Sequence, residues 1–202
     1  MRPLPLAVLG LLTACAPSLQ LPAVAPDNRW ADSTAGWTLP ATFATASPYG
    51  YALRRDQDRA RTSTRLAVTT HRGVYTGWVQ RPQITFYAQF DGSTPRHAPA
   101  TIALLFRTLE PEALSSTWLV LGCSGTADTV PVVPRSMAQR TGSTSSHFLT
   151  YHLPLAAVAH FAACTEASLA VGQLHEGFFP DQLAALQVLL RGVTPAPLTA
   201  GP

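Results

Sequence analysis

Residues 153–190, LPLAAVAHFAACTEASLAVGQLHEGFFPDQLAALQVLL, carry the pattern that decides the fold. At each end of this stretch, a proline suited to the first turn of a helix precedes apolar residues three or four positions apart. These are Leu155, Val158, Phe161 and Ala162 after Pro154, and Leu183, Leu186, Leu189 and Leu190 after Pro180. Gly192 fits a helix C-cap, and residues 166–178 are typical of two short strands. The stretch therefore predicts a helix, a strand pair and a second helix.

Upstream of this stretch, apolar and polar residues alternate as in half-buried strands. Ile84, Phe86 and Ala88 recur at period two before a turn at Asp91-Gly92. Apolar runs of strand length occur at 101–106, 117–123 and 148–153. Residues 130–146 are rich in Pro, Ser, Thr and Gly, and we expect a long loop there, with an edge strand at Val132-Val133 at most.

Together the patterns predict an α+β fold, mainly an antiparallel β-sheet of about six to eight strands with two C-terminal helices packed on it. The composition, 47% hydrophobic and 12% charged, is typical of a globular protein. We place a single domain at residues 37–193. Residues 194–202, with three prolines and a glycine, are expected to be a disordered tail.

The N-terminus, MRPLPLAVLGLLTAC, has the three-part layout of a secretory signal. Arg2 supplies the positive charge, an apolar run follows from Leu4 to Leu12, and small residues lead to Cys15. A helix needs about 20 apolar residues to cross a bilayer, so this run is too short to be a membrane anchor. We therefore expect residues 1–14 to be a signal peptide.

Within it, Leu12-Thr13-Ala14-Cys15 resembles the lipobox of bacterial lipoproteins, although the resemblance covers only this segment. It implies that the Cys15 thiol receives a diacylglyceryl group, that the chain is cut before Cys15, and that a further acyl chain is often added. Two or more acyl chains hold a protein stably on a membrane. Residues 15–36, with Pro17, Pro22 and Pro26, would then be the lipidated cysteine and a flexible tether.

The resemblance implies a lipid-anchored protein of the cell envelope, outside the cytoplasm. Because Ala16 rather than Asp follows the cysteine, it favours the outer membrane where a cell has two. The alternative is an ordinary secreted protein that is cut nearby, with Cys15 incidental.

Two strings near the C-terminus, LAAVAHFAAC and FFPDQLAALQVLL, resemble a pattern found in uncharacterised bacterial envelope proteins. They cover less than a quarter of the chain. The resemblance implies a helix pair packed on a sheet and no particular activity.

Cys123 and Cys164 remain after lipidation of Cys15. Outside the cytoplasm two thiols can form a disulfide, but the sequence leaves a bonded pair and two separate buried thiols open. The string Gly122-Cys123-Ser124-Gly125 also looks like a nucleophile turn, a weak motif on its own.

The densest charge cluster lies in a stretch that we interpret as a loop. Its arginines are Arg54, Arg55, Arg59, Arg61 and Arg65. Arginine binds phosphate and carboxylate bidentately, so the cluster is a candidate contact for anionic headgroups, envelope polymers or an acidic partner. The alternative is a solvated loop that Asp56 and Asp58 partly neutralise.

The remaining patterns argue against most catalytic chemistry. All fourteen basic residues are arginine, so neither a Schiff base on lysine nor a phosphate loop can form. The six histidines are scattered, without the tight spacing of metal ligands. We expect no metal or other cofactor, and a net charge of +3 is too small to indicate nucleic acid.

The sequence therefore predicts a non-catalytic binding or assembly module. Its expected partners are a membrane, through the lipid on Cys15, and an envelope protein or polymer. The alternative is an envelope hydrolase that acts on cell-wall or sugar polymers.

Overall fold

The computed structural model describes residues 51–58, 63–76, 79–141 and 144–195. The predictions for residues 1–50, Cys15 among them, lie outside these residues, as do Arg59, Arg61 and residues 196–202. The described strands are β1 (Ala52–Asp58), β2 (Ser63–His71), β3 (Val74–Thr76), β4 (Val79–Arg81), β5 (Gln83–Asp91), β6 (Thr101–Thr108), β7 (Trp118–Cys123), β8 (Thr126–Pro131), β9 (Arg135–Thr141), β10 (Thr144–Pro154), β11 (Ala167–Val171) and β12 (Leu174–Phe178). The described helices are α1 (Leu155–Ala162) and α2 (Pro180–Val193), with a 3-10 turn at Glu112–Leu114.

Most of the described strands form two antiparallel sheets. The six-stranded sheet has the order β1-β2-β5-β6-β10-β9, the four-stranded sheet has the order β12-β11-β7-β8, and β3 pairs with β4. The structure thus confirms the α+β class with two C-terminal helices. Its twelve described strands exceed the six to eight expected.

The six-stranded sheet follows the period-two pattern. On β5, Ile84, Phe86 and Ala88 are buried on the inner face, while the residues between them point to the outer face. The neighbouring strands add apolar residues to the same inner face: Leu66, Val68, Leu104, Phe106, Leu149 and Tyr151. The inner face packs in one core with the helices and the four-stranded sheet.

Helix α2 is tied to the sheet at its first turn. The Phe179 backbone N–H donates to Gln182 Oε1 at 2.9 Å, and Gln182 Nε2 donates to the Thr70 carbonyl on β2. The predicted C-cap at Gly192 is wrong, because the helix continues to Val193, whose side chain is buried in the core. The cap is Thr194, whose backbone N–H and hydroxyl both donate to the Leu190 carbonyl.

Phe178 joins several parts of the core. Its ring makes edge contacts with Phe86 on β5, Phe161 on α1 and His71 on β2, at centroid distances of 6.2, 4.9 and 4.8 Å. The pKa of His71 is lowered to about 4, mainly by burial; a hydrogen bond from Nε2 to the Gly177 carbonyl opposes this shift, and nearby Arg81 contributes to it to a smaller extent. His71 is therefore a neutral core residue.

The expected loop at 130–146 is wrong. The region holds the end of β8, all of β9 and the start of β10, whereas Val132-Val133 lies between strands. β9 pairs with β10, Met137 opposite Phe148, so tertiary pairing makes a strand of a sequence that has little strand character of its own.

Candidate functional site

The three described arginines of the cluster, Arg54, Arg55 and Arg65, lie on strands rather than in a loop. Arg54 and Arg55 belong to β1, and Arg65 belongs to β2. The register places Arg54 and Arg65 on the outer face of the six-stranded sheet. Arg55 points to the opposite side, where Nη2 donates to the Ser93 carbonyl at 2.6 Å. The structure therefore separates residues that are adjacent in the sequence.

Arg54 and Arg65 are engaged within the sheet. Arg54 Nε lies 2.9 Å from Asp56 Oδ1. The Arg65 guanidinium stacks 3.9 Å from the centroid of the Tyr87 ring, and its buried Nε has no hydrogen-bond partner among the described residues. The Arg54–Asp56 pair is compatible with partial neutralisation of the cluster by its own aspartates.

A second group of basic residues lies on the other half of the same face. We call it the basic strip; it consists of Arg107 on β6, Phe148 and His152 on β10, and Arg135 and Met137 on β9. In the sheet register, Phe148 lies opposite both Arg107 and Met137. Among the described residues of these three strands, no acidic residue shares the face, so the strip has a positive character.

Beside the basic strip is an apolar groove of about 640 Å³, where the edges of the two sheets approach each other. Its lining includes Trp118, Val133, Arg135 and His152. Trp118 and Val133 are 63% and 80% exposed, and Met137 on the basic strip is 64% exposed. Large apolar side chains exposed next to arginine are typical of a protein interaction surface.

Sequence reasoning missed the basic strip because its residues come from three separate segments. The period-two rule alone would have placed Arg107 opposite to the buried Phe106. The partner strand and the register, which bring Arg135 and Phe148 to the same face, required the tertiary fold.

Cys123 and Cys164 are brought to disulfide distance, with Cα atoms 5.4 Å apart, which is compatible with a bonded pair. His160 on α1 lies beside them: its Nε2 is 3.9 Å from Cys123 Sγ, and its Nδ1 is 3.2 Å from Asp128 Oδ2 on β8. The order of sulfur, imidazole and carboxylate is that of an activated cysteine. We call these four residues the cysteine site.

The turn after Cys123 has a structural explanation. Ser124 and Gly125 have φ values of 47° and 88° and connect β7 to β8. Positive φ at both central residues is the geometry of a two-residue type I′ hairpin turn. The motif that suggests a nucleophile turn therefore contains a hairpin turn, and Cys123 is the last residue of its first strand.

The described residues also bear on metal sites and membrane spans. There, no group of three or more His, Cys, Asp or Glu side chains could hold a metal ion. No helix of the described ranges is both long and apolar enough to span a membrane. Comparison of the chain with protein-family models, with curated protein sequences and with solved structures gives no match.

Proposed function

We propose that this protein is a lipid-anchored binding or assembly module that works outside the cytoplasm and is not an enzyme. The lipobox-like segment supports the anchor at Cys15. The observation that supports binding is the basic strip together with the apolar groove, which share Arg135 and His152. Trp118 and Val133 of the groove and Met137 of the strip are exposed.

The surface fits an extended segment of an envelope protein with acidic and apolar side chains. β9 is the last strand of its sheet, so its outer edge has no strand partner among the described residues. An extended peptide can add to such an edge through backbone hydrogen bonds. Arg135 would meet acidic side chains of the added strand, and Met137 and the groove would take its apolar ones.

Binding is tested by photo-crosslinking in cells. A photoreactive residue at Met137 should cross-link a discrete envelope protein that is identified by mass spectrometry. Arg135→Glu should reduce that cross-link about tenfold, because it reverses the charge at the edge. Arg96→Glu, at another exposed arginine, is the matched control and should leave the yield unchanged. An equal effect of both substitutions would refute the proposed surface.

The anchor is tested separately with Cys15→Ser. We expect the variant to leave the membrane fraction, because the acyl chains supply the membrane affinity. A variant that stays membrane-bound would contradict the lipid anchor, whatever the result of cross-linking.

We further propose that Cys123 and Cys164 form a disulfide in the mature protein. Their separation, and an extracytoplasmic location, support the bond. Titration of thiols in denatured, unreduced Cys15→Ser protein should find none, and two thiols per chain would refute the bond. The alternative function, an envelope hydrolase, draws support from the order of Cys123, His160 and Asp128, but it requires a free Cys123 thiol.

A further inference from the structure

The two cysteines of the cysteine site have unequal surroundings. Cys123, at the end of β7, is partly exposed, whereas Cys164 is only 9% exposed. Only Cys123 Sγ has the His160 Nε2 contact, at 3.9 Å. Cys164 Sγ instead lies 3.2 Å from the backbone carbonyl oxygen of His160. An attacking group from solution would therefore reach Cys123 first.

These surroundings also favour different protonation states when the sulfurs are reduced. His160 is oriented by Asp128, which holds Nδ1 so that Nε2 faces Cys123 Sγ. A protonated imidazole beside a sulfur stabilises the thiolate. A reduced Cys164 can donate its S–H to the His160 carbonyl oxygen. A Cys164 thiolate would instead be repelled by the partial negative charge of that oxygen. The site therefore favours a Cys123 thiolate and a Cys164 thiol.

Contacts other than the bond between the sulfurs also join the two segments. The Ser124 backbone N–H donates to the Glu166 carbonyl at 2.9 Å, and the Ser124 and Thr165 hydroxyls lie 3.1 Å apart. β7 also pairs with β11, Cys123 opposite Ala167. Backbone and side-chain contacts thus hold the two segments together, so the pair can be reduced without separating them.

We propose that Cys123 and Cys164 are a thiol–disulfide exchange site for a dithiol of a partner protein. The proposal rests on the disulfide proposed above and is independent of the basic strip. It describes a stoichiometric exchange, compatible with a binding module.

In the first step, a partner thiolate attacks Cys123 Sγ. The Cys123–Cys164 bond breaks, its electron pair goes to Cys164 Sγ, and that sulfur takes up a proton. In the second step, the other partner thiolate attacks the partner sulfur bound to Cys123. The partner disulfide forms, and Cys123 leaves as a thiolate beside protonated His160. The partner dithiol is oxidised by two electrons, the pair is reduced, and the two protons end on Cys164 and His160.

The test uses the full chain with Cys15→Ser, so that only this pair contributes thiols. The equilibrium constant for reduction by dithiothreitol at neutral pH should fall about tenfold in His160→Gln, because the Cys123 thiolate formed in the second step loses its neighbouring cation. His175→Gln, at another exposed histidine, should keep the equilibrium constant of the parent. Equal equilibrium constants in the parent and both variants would overturn the exchange proposal while leaving the disulfide intact.

A second measurement does not depend on the disulfide. In Cys164→Ser, alkylation by iodoacetamide as a function of pH should give Cys123 a thiol pKa below the ordinary value of about 8.5. Adding His160→Gln should return the pKa to that value, and circular dichroism checks that both variants are folded. An ordinary Cys123 pKa overturns the proposal, and two free thiols in the untreated protein remove the bond and the exchange together.

Discussion

Phenylalanine occurs on both faces of the six-stranded sheet, in the core on the inner face and beside an arginine on the outer face. Phe106 points inward, is fully buried, and meets Tyr151 edge-on at 5.8 Å between ring centroids. Phe148, on the neighbouring strand, points outward with the Arg107 guanidinium 5.9 Å from its ring centroid. On the central strands β2, β5, β6 and β10 most inner-face residues are apolar, whereas the outer face mixes rings, small residues and arginines. Stability is therefore concentrated on the inner face, which leaves the outer face available for binding.

The largest expected effect is the difference in stability between replacing a phenylalanine of the inner face and one of the outer face with alanine. Phe106→Ala should reduce the free energy of unfolding by about 3–5 kcal/mol, because it leaves a cavity in the core. Phe148→Ala should cost about 1 kcal/mol or less, because its site is partly solvated. Urea unfolding of the two variants measures the difference. Similar losses in both would contradict the division of roles between the faces.

The next effect concerns His71, a titratable side chain within the core. The unfolded chain takes up a proton on this histidine near pH 6.5, but its folded pKa is lowered to about 4, mainly by burial. The free energy of unfolding should therefore be highest above pH 6.5 and fall by about 3 kcal/mol as the pH decreases toward 4.

His71→Gln should flatten this dependence, and His152→Gln, at an exposed histidine of the outer face, should keep it. Comparing the two variants at each pH cancels the contribution of Glu176, whose pKa burial raises and Arg81 lowers. Identical pH profiles for both variants would show that His71 is not the group responsible.

The smallest effect is expected between Arg65 and Tyr87 on the outer face. A double-mutant cycle with Arg65→Ala and Tyr87→Leu should give a coupling of about 0.5–1 kcal/mol, as for a partly solvated cation–π pair. The same cycle with Arg65→Ala on β2 and Met137→Ala on β9, four strand spacings apart, should give none. If the coupling energy of Arg65 and Tyr87 exceeded that of a pair on the inner face, stability would not be concentrated on the inner face.

The inner face could be predicted from the sequence, and the outer face could not. Ile84, Phe86 and Ala88 occupy every second position of their strand, a pattern that predicts burial of one side. β9 lacks this signal because its described side chains, from Arg135 to Gln139, are exposed on both sides. In β1, the run of charged residues hides the alternation, so the arginines suggest a loop.

The cysteine site shows the same limit. The sequence leaves two alternatives for Cys123 and Cys164, a disulfide or two separate thiols, because two thiols outside the cytoplasm can form a bond only if the fold brings them together. The contribution of His160 and Asp128 was not visible, since they lie on α1 and β8, 32 residues apart, and meet only through the fold. Local periodicity predicts which elements form, whereas the register between distant elements determines which side chains share a site.

With the lipid anchor proposed above, the order of strands would give the molecule an attached side and a free side. β1, the strand nearest to the N-terminal segment, and β9 occupy opposite edges of the six-stranded sheet, five strand spacings or about 24 Å apart. If the lipid holds the chain near β1, a protein docked along β9 would stand across the width of the sheet from the point of attachment. The sheet would then act as a spacer, with a reach set by its number of strands.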